Sequence, residues 1–383
     1  MPRYKSQHFV PQFYLRNFSH GEKSLCRHSL KSNRQEQRSI DSIAREFWFY
    51  GDNRIAGLFE NAMSRLEEQH AKIIENILEN QHFNFREIIP PHTPQISSED
   101  DRELHNYFNL LRFVLLTATR TKQAKNESEA AINAIWKTLL AQSEEAKEKG
   151  ISPEAIKRLK IVRGKADVES MQIAMELGPI FISDLAIRLL INKTKTPFVT
   201  SDSPAVFVFY RFPKQSDLDP MAWQLPGSKA PGRYALAGIK NIISWQAPGL
   251  MIFLPFNQEV TLWLFDRQLF MPKVEARDRV FLLKKSDVDE LNRLQALNAD
   301  EYLFFSKLDQ DKHDLSSMEQ QVENRRAKRI SKILKLGYVK IYYDFHLSFL
   351  RIDTEAYKGR AAEFESAPFV VRDRSLVEEA LRP

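Results

Sequence analysis

"GLMIFLPFNQEVTLWLFD", residues 249–266, is rich in β-branched, aromatic and leucine side chains. It is interrupted once, at Pro255, Phe256, Asn257 and Gln258, where a turn is favoured. This pattern predicts two strands joined as a hairpin. "TPFVTSDSPAVFVFYRF", residues 196–212, has the same character around its own turn. Before residue 196 the period is helical. Residues 57–80 carry an apolar stripe at Phe59, Met63, Leu66, Ile73 and Ile77. A helix over roughly 100–124 is apolar nearly all round and should be buried, with Ser97 or Ser98 as its cap. Residues 127–149 read as a charged surface helix. Residues 167–193 read as one long helix kinked at Pro179, with Asp184 and Arg188 paired on one face. Helix returns over 287–306.

The expected class is α+β, a mostly helical body around a small antiparallel sheet. One domain is expected over residues 1–310, helical over 1–193 and sheet-containing over 194–310. Residues 311–383 would add a basic helix and a C-terminal extension containing "GYVKIYYDFHLSFLRI".

Composition narrows the chemistry. The chain has 383 residues, 12 glycines, 26 phenylalanines and one cysteine, Cys26. A single cysteine excludes an internal disulfide and a multi-cysteine zinc site, and suits the cytoplasm. No membrane span and no signal peptide are expected. Net charge is +6, and residues 1–45 alone hold nine basic and three acidic side chains. A second basic cluster is "RRAKRISKILK", residues 325–335. Such patches suit phosphate backbones, or are simply solvated faces. Dinucleotide, nucleophile-elbow and zinc-protease signatures are missing. "GSKAPGRY", residues 227–234, has Arg233 and Tyr234 where a phosphate loop needs Lys and Ser or Thr.

Three stretches occur in a telling order: "HFVPQFYLRNF" at 8–18, "TPFVTSDSPAV" at 196–206 and "LNRLQALNADEYLFFS" at 291–306. Together they resemble the domain-of-unknown-function family 4238, over roughly residues 5–310. "LPFNQEV", residues 254–260, resembles a further short segment of that family, with Phe256 in place of Leu. The resemblance implies a bacterial protein and supplies no reaction. The company such families keep suggests a defence or toxin effector.

Certain residues carry more than folding asks of them. His8 precedes Pro11 and a short aromatic helix with Phe13, Leu15 and Phe18 inward, so it is either a fixed functional side chain or a cap. Glu60 and Glu67 lie about 20° apart around a helix, at the edge of its apolar stripe. They need a metal or cations, with Arg112 and Arg120 the nearest candidates. Asp202 follows "PFVT" and precedes Ser203-Pro204. It is either a catalytic carboxylate oriented by Thr200 and Ser201 or a turn residue, which Asn would replace harmlessly. Asn292 and Asn298 face directions about 120° apart and are expected to serve no common site.

Two functional readings follow. In one, the chain is a metal-assisted hydrolase acting on nucleic acid or a nucleotide. His8, Asp202 and Glu67 would be catalytic. Glu60, Glu67 and Asp202 would hold Mg²⁺ or Mn²⁺, and Arg120, Arg325 and Arg326 would bind phosphate. In the other, it is a binding module for nucleic acid or protein, and the polar cluster is a buried network that specifies the fold.

Overall fold

In a computed structural model, the described residues are 6–85, 98–126, 148–159, 171–209, 245–307, 346–366 and Arg372, apart from short gaps, together with scattered positions between 137 and 147. The basic cluster with Arg325 and Arg326, and most of the 127–149 segment, lie outside them.

The predicted hairpin is the centre of the molecule. Strands β8 (Leu250–Pro255) and β9 (Val260–Phe265) pair antiparallel, and every residue of both is buried. Beside β9 runs β5 (Ala186–Asn192), and beside β5, in parallel, β11 (Arg279–Leu282). β7 (Val206–Phe209) completes a five-stranded mixed sheet in the order β11-β5-β9-β8-β7.

Each face of this sheet has its own core. Ile187, Leu189, Ile191, Ile252, Leu254, Leu262 and Leu264 face the larger core. That core also holds the short helix α1 (Gln12–Arg16) and the long helices α2 (Arg54–Asn80) and α3 (Ser98–Thr119). Ala186, Leu190, Met251, Phe253, Trp263 and Phe265 face the other. There they meet Val288, Leu291 and Leu294 of α6 (Lys285–Asn298), a helix that follows two shorter ones, α4 (Pro153–Arg158) and α5 (Gly178–Ile182).

A second, four-stranded antiparallel sheet has the order β3-β2-β12-β6. It comprises β2 (Ser24–Ser29), β3 (Arg34–Ser39), β6 (Thr200–Ser201) and β12 (Tyr302–Phe305). Two ribbons finish the architecture. β1 (Ser6–His8) pairs with β4 (Arg45–Phe47), and β10 (Phe270–Pro272) with β13 (Leu350–Ile352), which leads into α7 (Thr354–Ser366).

This corrects the expected class. A mostly helical body around one small antiparallel sheet is replaced by a mixed α/β protein, with thirteen strands in four sheets among the described residues. The main error lies at residues 167–193. "AIRLLIN" is buried on both faces as β5, so its apolar run has no alternation to separate it from a buried helix. Pro179 stands at the start of α5, where its missing N–H costs nothing, and makes no kink. Asp184 and Arg188 fall on either side of the turn into β5. Asp184 pairs with both arms of Arg372 (2.7 and 2.9 Å). The end of the expected 287–306 helix is also strand: α6 stops at Asn298 and β12 follows.

Residues 347 and 349, just before β13, belong to the second core. Phe349 meets Trp263 edge-on at 5.3 Å, and Leu347 lies in the same cluster. Asp287 accepts both the backbone N–H and the hydroxyl of Ser348, each at 2.6 Å. Phe349→Ala should therefore cost about 3–5 kcal/mol in urea unfolding of the full chain. A loss under about 1 kcal/mol would show that the segment merely rests on the domain.

Candidate functional site

Two polar clusters stand out. The first holds together the segments that carry the family resemblance. Tyr14, fully buried in α1, shares a hydrogen bond of 2.7 Å with Thr200. Asn292 on α6 accepts the N–H of Val199 (3.0 Å) and donates to the carbonyl of Pro197 (2.9 Å). One turn on, Gln295 donates to Ser201 Oγ (2.6 Å). Asn298 donates to the carbonyls of Ser203 (2.7 Å) and Ala205 (3.1 Å). The two asparagines do serve one purpose. They grip successive stretches of one segment, 197–199 and 203–205.

Asp202 lies inside this cluster, 5% exposed. Its two oxygens accept the backbone N–H groups of Asp300 (2.9 Å), Glu301 (2.8 Å) and Tyr302 (3.0 Å). Burial and the nearby Asp300 push its carboxyl up to about 7, while the three N–H groups pull the other way. It neither caps its own turn nor bonds His8, Glu60 or Glu67. An amide at this position would turn its own N–H₂ toward backbone donors. Asp202→Asn, expected from sequence to be harmless to the fold, should instead cost about 1–3 kcal/mol, because it sets a donor against those N–H groups. Unchanged stability in chemical unfolding would mean that the carboxylate is free for other work.

The second cluster surrounds Arg120, just past the end of α3 and 4% exposed. Its guanidinium pairs with Glu67 of α2 and donates to the carbonyl of His8 (2.6 Å). It also lies 5.5 Å from the ring centre of Tyr50. Glu60, two turns before Glu67 on α2, has a buried oxygen, Oε2, with no hydrogen-bond partner. Burial raises its pKa above the ordinary 4.5, with a smaller upward push from Glu67 and an opposing pull from Arg120. Of the two arginines expected as partners, Arg120 fills that role. Arg112 instead bonds the carbonyl of Met175 (2.8 Å) and the side chain of Asn109.

His8 sits at the edge of this cluster, half-buried. Burial lowers its pKa below 6.5, and the charges of Arg120 and Arg45 add to that. Gln12 reaches its Nε2 at 3.2 Å. The Gln12 amide is oriented from both ends: Arg16 donates to its oxygen (3.1 Å), and its nitrogen donates to Asp41 (3.1 Å). The same Nε2 lies 3.3 Å from the carbonyl of Asp41, so it meets a donor and an acceptor at once.

Sequence reasoning missed Tyr50 and His70. His70 is 3% exposed against Phe113, with Nε2 unpartnered, and burial, aided by Arg112 and Arg120, holds its pKa down to about 3. Its position three residues after Glu67, on the same helix face, was a usable signal. Tyr50 comes from a loop, and nothing in the sequence marks it. Among the described residues no three His, Cys, Asp or Glu side chains are gathered as a metal-binding group. No helix there is long and apolar enough to cross a membrane.

The fold and this pair of clusters define a mixed α/β protein with a buried arginine hub beneath its N-terminal strand. The model of a family described as "Protein of unknown function (DUF4238)" matches residues 6–309, about four-fifths of the chain. The chain belongs to that family. No curated protein and no solved structure matches it.

Proposed function

We infer that the protein is a hydrolase acting on a phosphate ester of nucleic acid or a nucleotide, with its centre at Glu60, Glu67, Arg120 and His8. The observation that carries this reading is the unpartnered buried oxygen of Glu60 beside a guanidinium. An orphaned carboxylate oxygen is costly unless a substrate or water uses it. Glu67 holds Arg120 in place, and the remaining N–H groups of Arg120 suit a phosphoryl oxygen. Glu60, with its raised pKa, takes a proton from water. The resulting hydroxide forms a new P–O bond as the ester P–O bond breaks, and the departing oxygen takes up the proton that Glu60 then carries. His8, its pKa held below 6.5, stands at the rim as a neutral imidazole. Asp202 is left out, because both its oxygens already accept backbone N–H groups. A divalent cation on Glu60 and Glu67 would supply further stabilisation of charge, and assays with and without Mg²⁺ or Mn²⁺ address it.

The second reading, a binding module, is favoured by the first cluster. There the motif residues have a full structural explanation without chemistry.

The test is Glu60→Gln. Folding raises the Glu60 pKa, so its ionisation weighs against the folded state as pH rises past the ordinary 4.5. Removing the charge should leave the melting temperature at neutral pH unchanged or higher. Hydrolysis of oligonucleotides or nucleotides should fall by about 10²-fold or more. In the parent protein activity should be lost on acidification through a pKa above 4.5. Full activity in the folded variant would remove Glu60 from the chemistry and leave the binding module ahead.

A further inference from the structure

The β1–β4 ribbon brings together residues that no family motif unites. Its register pairs His8 with Arg45 and Ser6 with Phe47. Residues directly opposite in an antiparallel pair share a face. Gln7 points inward, buried, and its side-chain oxygen accepts the N–H of Tyr50 (2.8 Å). Ser6, His8, Arg45 and Phe47 therefore make up the other face. On it Phe47 is 65% exposed, and Arg45 is exposed beside it. The exposed Phe281 is different, since Lys193 and Arg279 cover its ring at 5.7 and 5.8 Å.

A lone exposed aromatic needs no explanation. This one stands two strand positions from a cation, about 7 Å away, and diagonally across from His8. Along the chain, residues 1–45 hold nine basic and three acidic side chains, an excess equal to that of the whole chain, +6. Within that run Arg27 and Arg38 pair with Glu36, and Arg34 stays exposed on the edge strand β3. It leads directly into Asp41, which accepts from Gln12. A π-face, a cation and a candidate catalytic side chain, spaced at about the length of one nucleotide, form a stacking platform with a phosphate grip.

We propose that the face formed by Phe47, Arg45 and His8 binds single-stranded nucleic acid, with one base stacked on Phe47 and its phosphate on Arg45, feeding the strand to the Arg120 cluster. The proposal deepens the hydrolase reading and rests on it for the direction of the strand. A duplex hides its base faces within its own stack, so single strands should be favoured.

The experiment measures binding of labelled single-stranded DNA, single-stranded RNA and the matching duplex to the full chain carrying Glu60→Gln, by fluorescence anisotropy. Phe47→Ala should weaken single-strand binding about tenfold, and Phe47→Trp should restore it. Arg45→Ala should weaken binding and lower the salt slope by about one. Single-strand affinity unchanged by Phe47→Ala, a duplex bound as tightly as the single strand, or no binding of any strand would each overturn the platform. Hydrolysis by the parent protein is assayed separately. Cleavage with Phe47-independent binding keeps the hydrolase and removes the platform. Phe47-dependent binding without cleavage keeps the platform and removes the hydrolase.

Discussion

The extended segment 197–205 pairs regularly over only two residues, Thr200 and Ser201, and still lies fully buried between two sheets. Backbone N–H and C=O groups in such a place must find partners. The amides of Asn292, Gln295 and Asn298 supply several of them from one side, and the Tyr14 hydroxyl bonds the Thr200 side chain from the other. Asp202 returns the favour by gathering the three N–H groups of residues 300–302. With that segment fixed, β7 enters the large sheet and β12 enters the small one.

The same clamp positions the Arg120 cluster at one remove. Tyr14 anchors α1, and α1 fixes the end of β1, where the His8 carbonyl receives Arg120. The cluster thus depends on residues about 200 apart in sequence without containing the motif carboxylate Asp202. A buried cation paired with one carboxylate, next to a second carboxylate with an empty acceptor, is a costly arrangement for stability alone. That cost is the physical reason to read the cluster as functional and the clamp as structural.

Much of this was legible in the sequence, and the failures have physical causes. The 249–266 hairpin, the helix over 57–80 and the buried helix after residue 97 were all readable, because their periodicity is local. β5 was not, since a strand buried on both faces has the composition of a buried helix. The β2–β3 hairpin was not, because "RQEQRS" is an exposed edge strand with no apolar face to betray it. The partnership of Glu67 with Arg120 stood among the sequence alternatives, since a buried arginine must find an anion. Asn292 and Asn298 misled, because facing angles on an ideal helix assume a compact target. Their target is a chain segment that meets the helix at more than one point. Phe47 could be recognised only from strand register, which a sequence of this kind does not display.

The claim that Glu60 is an unpartnered carboxyl in a buried, cationic site is open to direct observation. Carbon-13 labelled glutamate side chains can be followed by NMR through a pH titration of the full protein. One carboxyl resonance should titrate above the ordinary 4.5 and vanish in the Glu60→Gln variant. If the resonance assigned to Glu60 titrates at or below the ordinary value, its oxygen is solvated or paired, and the account of the site is wrong.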